Sequence, residues 1–220
     1  MRIDILTLFP ESFAALNESI LKRAQESGKL EINLVNIRDF SKDKHKKCDD
    51  YPFGGGAGML MSAQPIYDAY KSVAKEGGHV VMATPSGQTL SPEIAKELSK
   101  KDHLIFICGH YEGIDQRIND LLEPQEISIG DYVLTGGELP TMVIIDCLAR
   151  FIDGVITAES LDEESFSSGG LEYPQYTRPQ TFEGLSVPEV LVSGNHQEIA
   201  KWRKEKSLEK TKERRPDLLN

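Results

Sequence analysis

Hydrophobic positions in the first two thirds of the chain follow two alternating patterns. Short apolar runs of strand length alternate with longer segments whose apolar residues recur at helical spacing. The runs predict strands at 3–9, 30–37, 79–84, 103–108 and 126–129, and the helical segments cover 10–27, 63–76, 91–100, 114–122 and 139–152. Repeated strand and helix units predict an α/β fold, in which a parallel sheet carries helices on both faces.

The pattern changes after the last of these helices. Residues 157–170 carry four acidic side chains beside Ser-Ser-Gly-Gly and are expected to form a flexible interdomain linker. The segments with helical character beyond it are 187–191 and 195–213. We therefore expect an α/β domain over 1–156 and a small α-helical domain over 171–220.

Composition narrows the class of protein. The chain has 220 residues, of which 39% are hydrophobic, so it can bury a substantial core. No stretch approaches about 18 consecutive uncharged apolar residues, and the N-terminal run reads as a strand because Asp4 interrupts it. The three cysteines and five histidines show neither disulfide nor metal-ligand spacing. We expect a cytoplasmic protein with no membrane span and no structural metal.

Charge is distributed unevenly along the chain. The net charge of −10 argues by itself against a polyanionic partner. Residues 201–215, however, hold eight basic side chains against three acidic ones, and residues 42–47 contain four lysines. A solvated surface is the ordinary interpretation of such segments, and contact with nucleic acid is the alternative.

Two predicted strands run directly into glycine-containing loops. One such unit covers 103–115, and the other covers 127–140, where a helix follows the loop. Loops of this kind place backbone N–H groups beside a crevice and let a flat or charged ligand approach the main chain. Their closeness in sequence predicts one shared ligand pocket.

A third glycine-rich segment, 54–58, lies beside acidic and aromatic residues. It lacks the Gly-Lys-Ser/Thr ending of a phosphate-binding P-loop, and no Gly-x-Gly-x-x-Gly pattern of a dinucleotide-binding fold follows the first strand. A flexible loop is one interpretation. The flanking acids, together with Tyr51 and Phe53, favour a functional loop that stacks on and hydrogen-bonds a nucleic-acid base.

Taken in order, these motifs resemble the bacterial tRNA (guanine-N1)-methyltransferase family, of the TrmD type within the SPOUT class. The segments that carry the resemblance are Asp-Asp-Tyr-Pro-Phe-Gly-Gly-Gly-Ala-Gly-Met at 49–59, Gly-His-Tyr-Glu-Gly-Ile-Asp-Gln-Arg at 109–117, Ile-Gly-Asp-Tyr-Val-Leu-Thr-Gly-Gly-Glu-Leu-Pro at 129–140, Tyr-Thr-Arg-Pro at 176–179, Leu-Val-Ser-Gly-Asn-His at 191–196, Trp-Arg at 202–203 and Arg-Arg-Pro-Asp-Leu at 214–218. Together they extend over essentially the whole chain.

The resemblance implies a C-terminal trefoil knot in the α/β domain, a homodimer, and S-adenosyl-L-methionine as cofactor. The implied cofactor-binding residues are Pro85, Gly109, Tyr111, Glu112, Gly113, Ile129, Gly130, Asp131, Tyr132, Val133, Leu134, Gly136, Gly137 and Pro140. The implied RNA-binding residues are Asp50, Gly55, Gly56, Arg178, Lys201, Arg203, Arg214 and Arg215. The domain over 171–220 is then a tRNA-binding domain. A requirement for Mg²⁺ is also implied, and the sequence assigns it no ligand.

The implied reaction transfers a methyl group to N1 of the guanine at position 37 of tRNA, next to the anticodon. N1 carries a proton at neutral pH, so a base must remove it while a cation or hydrogen-bond donors stabilise charge on O6. By analogy, Glu164 is the base and Arg150 the stabiliser. The family pattern has aspartate directly before Ser-Phe, whereas this chain has Glu164 there and Asp162 two positions earlier. Asp162 is therefore the alternative base.

Other functions stay open on sequence grounds. A SPOUT methyltransferase that acts on another RNA would share the glycine loops but should lack Tyr-Thr-Arg-Pro and the C-terminal motifs. A non-catalytic RNA-binding module is consistent with the two basic segments, and cofactor binding without turnover would distinguish it from an enzyme. A generic nucleotide-binding α/β protein is disfavoured because the phosphate-binding motifs are absent from the sequence.

Overall fold

Five parallel strands form the central sheet in the computed structural model, which describes residues 1–74, 77–157, 164–167 and 169–219. In chain order, the strands of the sheet are β1 (Arg2–Thr7), β2 (Glu31–Asn36), β5 (His79–Thr89), β6 (His103–Ile107) and β7 (Gln125–Ser128). Two short strands, β3 (Asp49–Asp50) and β4 (Leu60–Met61), lie between β2 and β5 in the sequence and outside this sheet. The sheet has the order β2-β1-β6-β5-β7 and each neighbouring pair is parallel, while β3 and β4 form a separate antiparallel pair. The predicted parallel α/β sheet is confirmed.

Helices cover both faces of this sheet. They are α1 (Ser19–Glu26), α2 (Ala63–Val73), α3 (Pro92–Leu98), α4 (Gln116–Leu122) and α5 (Glu138–Ala149), with 3-10 helices at Pro10–Asn17 and Ile37–Phe40. Helices α1, α3 and α5 pack on one face, where the buried cluster includes Ile5 and Phe106. Helices α2 and α4 pack on the other face, around Leu6 and Ile107. Because successive side chains of a strand point to opposite faces, β1 and β6 supply both clusters.

The first helix differs from the sequence prediction of one continuous helix from Pro10, which is wrong. Pro10–Asn17 is a 3-10 helix, and α1 begins only at Ser19. The φ of Ser19 is 52°, in the left-handed region, so the helical path is interrupted there. Ile20, the residue after this interruption, is 37% exposed.

Strand β5 is longer than the predicted strand at 79–84. Its register against β7 jumps from Ala83 to Gln88, so residues 84–87 leave the ladder and form what we call the β5 excursion. The predicted strand ended at Thr84, whereas the structure places Pro85 and Gly87 within this excursion. A Cβ on Gly87 would lie 2.5 Å from the carbonyl carbon of Glu126 in β7. Glycine is therefore needed for the two backbones to pass so closely.

The chain divides into two compact units, Met1–Ile156 and Thr157–Asn220. The second unit contains β8 (Thr181–Phe182), β9 (Leu185–Ser186), α6 (Glu189–Val192), α7 (His196–Arg214) and a 3-10 helix at Pro216–Leu219. The expected helical domain thus also includes a β-hairpin, whose two turn residues Glu183 and Gly184 both have positive φ. Of the helices described in either unit, none is long and apolar enough to span a membrane.

Within the predicted linker at 157–170, residues 158–163 and 168 lie outside the described residues. Asp162 is one of them. Phe166 N donates to Gly170 O at 2.7 Å, and Glu172 N donates to Ser165 Oγ at 3.0 Å. The described part of this segment is therefore hydrogen-bonded to the residues that follow it in the second unit.

Candidate active site

A cavity lies at the carboxyl ends of β5, β6 and β7, where ligands of open parallel sheets bind. Its volume is about 400 Å³, within the usual range for sites that take small molecules. Three segments enclose it, namely the β5 excursion, residues 109–114 after β6 and residues 129–137 after β7. The two glycine loops that the sequence placed in one pocket therefore share this cavity with a third segment.

The 129–137 segment is held against the loop after β6 by its main chain. Gly137 N donates to Gly109 O at 2.7 Å. A Cβ on Gly137 would lie 2.8 Å from Gly109 N and 3.0 Å from Cys108 Cα. Backbone atoms occupy the space that any larger residue would need, so the loop can close on β6 only with glycine at this position.

The structure gathers the implied cofactor residues around this one cavity. Those that line it are Pro85, Gly109, Tyr111, Glu112, Gly113, Ile129, Gly130, Tyr132, Val133, Leu134, Gly136, Gly137 and Pro140. Asp131 is the exception, because its side chain is exposed and lies outside the lining. All but one of the cofactor-binding residues that the resemblance implies therefore lie around one cavity of the α/β unit.

Sequence reasoning missed the polar wall of the cavity. Glu126 accepts hydrogen bonds from Ser86 Oγ at 3.1 Å and from Asn119 Nδ2 at 2.6 Å. His110 and Ser128 line the cavity as well. The sequence signal that could have indicated Glu126 as a site residue was its position in a short predicted strand, directly before a glycine-containing loop. A fixed carboxylate in the wall favours ligands that carry positive charge or hydroxyl donors.

The glycine-rich loop at 54–58 adjoins the cavity through Glu112. A Cβ on Gly58 would lie 2.6 Å from Glu112 Oε1, so the Glu112 side chain lies directly over this glycine. Glu112 N also donates to Met59 O at 3.0 Å. The implied RNA-binding residues on or beside this loop, Asp50, Gly55 and Gly56, are all exposed. A surface that could contact RNA therefore borders the cavity.

The two residues assigned to catalysis lie in different units. Arg150 follows α5, whose first turn contributes Pro140 to the cavity wall. Arg150 lies ten positions after Pro140, and a rise of about 1.5 Å per residue places it roughly 15 Å from Pro140 along the helix axis. Glu164 is partly buried in the second unit, and the alternative base Asp162 lies outside the described residues. One α/β unit alone does not bring Arg150 to the cavity.

An ion pair follows the cavity loop at the start of α4. The Arg117 guanidinium donates to Asp115 through Nε at 2.9 Å and through Nη2 at 2.6 Å, and Asp115 also caps the helix by accepting from Arg117 N. The hydrogen bonds from the Arg117 side chain lower the pKa of Asp115. The carboxylate therefore remains ionised well into acid, where it fixes the first turn of α4.

Cys108 lies at the end of β6, directly before the cavity loop. Its side chain is fully buried, and that burial raises the pKa of its thiol. A protonated thiol is a poor nucleophile. Cys108 therefore has a packing role.

The basic residues of the second unit have different surroundings. Among the implied RNA-binding residues of this unit, Arg178, Lys201, Arg214 and Arg215 are exposed. The guanidinium carbon of Arg203 lies 4.8 Å from the centroid of the Tyr173 ring. Arg215 pairs with Asp217 at 2.6 Å, and this pair is solvent-accessible. Exposed pairs are weak, so a phosphate could compete with Asp217 for Arg215.

The fold and the cavity define a class of protein: an α/β protein that binds a small molecule between glycine-rich loops at the carboxyl edge of a parallel sheet. The family model described as tRNA (guanine-1)-methyltransferase TrmD matches residues 1–220. The chain belongs to this family.

Curated relatives agree with the family match. A tRNA (guanine-N(1)-)-methyltransferase of Ruminiclostridium cellulolyticum is 57% identical over 225 residues, which cover 100% of this chain and 97% of the relative. The enzyme of the same name from Carboxydothermus hydrogenoformans is 58% identical, with 100% and 87% coverage. That of Clostridioides difficile is 57% identical, with 99% and 97% coverage. The resemblance identified from the motifs is confirmed.

Proposed function

We propose that this chain transfers the methyl group of S-adenosyl-L-methionine to N1 of the guanine at position 37 of tRNA, next to the anticodon. The observation that carries the proposal is the gathering of the family's cofactor motifs around one cavity in a chain that matches the family model from end to end. The methyl transfer and the tRNA substrate follow from the names of the relatives, and the position next to the anticodon follows from the family.

The cavity suits S-adenosyl-L-methionine in size and in chemistry. When bound, this cofactor supplies an electrophilic methyl group on a positively charged sulfur. Glycine loops on two sides allow a flat adenine ring close to the main chain. The carboxylates of Glu112 and Glu126 offer partners for ribose hydroxyls and for the cationic end of the molecule.

We further propose that the cavity loops form a trefoil knot. The knot would arise where the 129–137 segment enters between the β5 excursion and the loop after β6. Its support is the close backbone approach on both sides, at Gly87 against Glu126 and at Gly137 against Gly109. Such contacts fix one path of the chain, because any larger side chain would push the segments apart.

Glu164 is the proposed general base. Its carboxylate accepts the N1 proton of guanine, the N1 lone pair forms the new bond to the methyl carbon, and the electrons of the broken carbon–sulfur bond return to sulfur. Arg150 stabilises the negative charge that develops on O6. Asp162 is the alternative base, and Glu164→Gln tests the choice by its rate of methyl transfer in a single turnover.

A homodimer would complete this site. The side of α5 away from the sheet exposes Leu139 (59%) and Val143 (47%), and Val133 of the cavity loop is 83% exposed. A second copy that covers these apolar side chains can supply Arg150 to the cavity of its partner. The separation of roughly 15 Å between Arg150 and Pro140 supports this arrangement.

Transfer RNA would contact both units. Asp50, Gly55 and Gly56 lie on the surface beside the cavity, and the second unit offers Arg178, Lys201, Arg203, Arg214 and Arg215 to phosphates. Binding should weaken as salt rises, with a slope set by the number of phosphates neutralised. A tRNA substrate implies action in the cytoplasm.

A role for Mg²⁺ would lie with the RNA or with the assembled site. Among the residues described here, no group of three or more His, Cys, Asp and Glu side chains could hold a metal ion. The proposal therefore assigns no protein ligand to this ion.

The decisive experiment measures methyl transfer from S-adenosyl-L-methionine to tRNA transcripts with guanine or adenine at position 37. Nuclease digestion and mass spectrometry then locate the product. We expect N1-methylguanine only in the guanine transcript. If the cofactor binds but neither transcript is methylated, the chain acts on another RNA or only binds RNA.

A further inference from the structure

The long helix α7 carries a polar face that holds the segment containing Glu164. Thr211 Oγ1 accepts a hydrogen bond from Leu171 N at 2.9 Å, and Ser207 Oγ donates to Leu171 O at 2.6 Å. Lys210 Nζ donates to Glu172 O at 3.0 Å. Residues at i, i+3 and i+4 share one side of a helix, so these three side chains form a continuous surface, which we call the α7 anchor.

Thr211 is the central member of the α7 anchor. It is 1% exposed on a helix whose other residues are mostly accessible. Its hydroxyl proton is already used, because Thr211 Oγ1 donates to Ser207 O at 2.7 Å. The oxygen is therefore directed to accept from Leu171 N. A Cβ on Gly170 would lie 3.2 Å from the same oxygen, so Gly170 allows the segment to lie close against the helix.

Hydrogen bonds continue from the α7 anchor to Glu164. Glu172 N donates to Ser165 Oγ at 3.0 Å, so the residue next to Glu164 is hydrogen-bonded to one of the residues that the α7 anchor holds. Phe166 N donates to Gly170 O at 2.7 Å. Ser167 donates to Glu164 O through its backbone N at 3.2 Å and through Oγ at 2.7 Å. One hydrogen bond therefore links Glu172 to the neighbour of Glu164, and two link the main chain of Glu164 to Gly170, which precedes Leu171.

We propose that Thr211 and Ser207 are positioning residues for Glu164. They fix Leu171, and through the hydrogen bonds of Ser165, Phe166 and Ser167 they set where the Glu164 carboxylate stands. The inference rests on the proposed role of Glu164 as general base. It gives α7 a second task besides offering positive charge to RNA, since the anchoring face and the basic side chains belong to the same helix.

Thr211→Val tests the proposal with little change in shape. Valine fills the same volume but cannot accept from Leu171 N, whereas Thr211→Ser keeps the hydroxyl. We expect Thr211→Val to slow single-turnover methyl transfer by about 10- to 100-fold, because misplacement of a catalytic group by about 1 Å has effects of this size. The dissociation constants for tRNA and for S-adenosyl-L-methionine should change less than about twofold, and Thr211→Ser should restore the rate.

A double-mutant comparison shows whether Thr211 acts through Glu164. If it does, Thr211→Val added to Glu164→Gln slows the reaction no further, since the group it positions is already lost. Ser207→Ala, which removes the bond to Leu171 O, should repeat the pattern. Thr181→Val serves as the matched control, because it removes an exposed threonine hydroxyl elsewhere in the same unit. Amide exchange at Leu171 should accelerate in Thr211→Val and not in the control.

The outcomes separate the two proposals. A wild-type rate in both Thr211→Val and Ser207→Ala, with Glu164→Gln slow, overturns the positioning role and leaves Glu164 as base. A wild-type rate in Glu164→Gln removes Glu164 as base, and the positioning role with it. Equal rate losses from Thr211→Val in the wild-type and Glu164→Gln backgrounds indicate a general effect on the unit and overturn the inference as well.

Discussion

Replacement of Gly137 by alanine should disrupt the cavity through steric overlap alone. The φ of Gly137 is −80°, which any residue adopts, so alanine carries no conformational strain there. Its Cβ would nevertheless stand 2.8 Å from Gly109 N and 3.0 Å from Cys108 Cα. Both atoms are backbone at the end of the central strand β6, so neither can move without shifting the sheet. The hydrogen bond from Gly137 N to Gly109 O, at 2.7 Å, would lengthen as well.

Overpacking of this kind costs about 1–3 kcal/mol, and a weakened backbone hydrogen bond adds about 1 kcal/mol. For a chain of this size each kcal/mol lowers the melting temperature by about 2–4 °C, so Gly137→Ala should melt roughly 5–15 °C below the wild type. Calorimetry gives the melting temperature, and titration calorimetry should show at least tenfold weaker S-adenosyl-L-methionine binding. Gly194→Ala is the control, because Gly194 has open space around it and only its φ of 74° opposes substitution. If Gly137→Ala has the melting temperature and the cofactor affinity of the wild type, the steric argument is refuted.

Three further results are expected. Glu126→Gln keeps the shape of the cavity wall but removes its charge, so S-adenosyl-L-methionine should bind about tenfold more weakly by titration calorimetry; unchanged affinity would exclude a contact between Glu126 and the cofactor. Val143→Asp should yield monomers in sedimentation experiments, because an unpaired charge cannot be buried in an interface, and an intact dimer would place the interface elsewhere. Arg117→Met should destabilise the protein at pH 7 but not in acid. The pKa of Asp115 is lowered in the folded protein, so the ion pair between Asp115 and Arg117 stabilises the fold fully above about pH 3.9, the usual pKa of aspartate. This stabilisation is lost as the pH falls through the pKa of Asp115 in the folded protein. A denaturation difference that persists when Asp115 is protonated would contradict this origin.

Local signals were sufficient for the sheet and for the cavity loops. Strands β1 and β6 are apolar runs, and the loops at 109–113 and 129–137 combine glycines with a preceding strand, so both could be predicted from short windows of sequence. The interruption at Ser19 could not, because a serine in the left-handed region within a helical pattern has no sequence signature.

Three other features of the structure could not be predicted, because they depend on contacts between distant residues or on strands too short to show a pattern. Glu126 belongs to the cavity only because β5 leaves its ladder and brings Ser86 within hydrogen-bonding distance, which depends on tertiary register. The hairpin of the second unit has a recognisable Glu-Gly turn, yet its strands are two residues each and too short for a periodic pattern. The α7 anchor joins positions about 40 residues apart, so no window of local sequence contains it.

The order of the sheet has a consequence for synthesis of the chain. Strand β1 is an interior strand that lies between β2 and β6, and its Arg2 pairs opposite His103 of β6. A nascent chain that has not yet produced β6 leaves one edge of β1 unpaired, although Ile3 and Ile5 of this strand are fully buried in the folded protein. Unpaired apolar edges promote association between chains, and pairing over such a separation is slow. Folding of the first half of this protein on the ribosome must therefore wait for about a hundred residues, a period in which β1 depends on protection by other means.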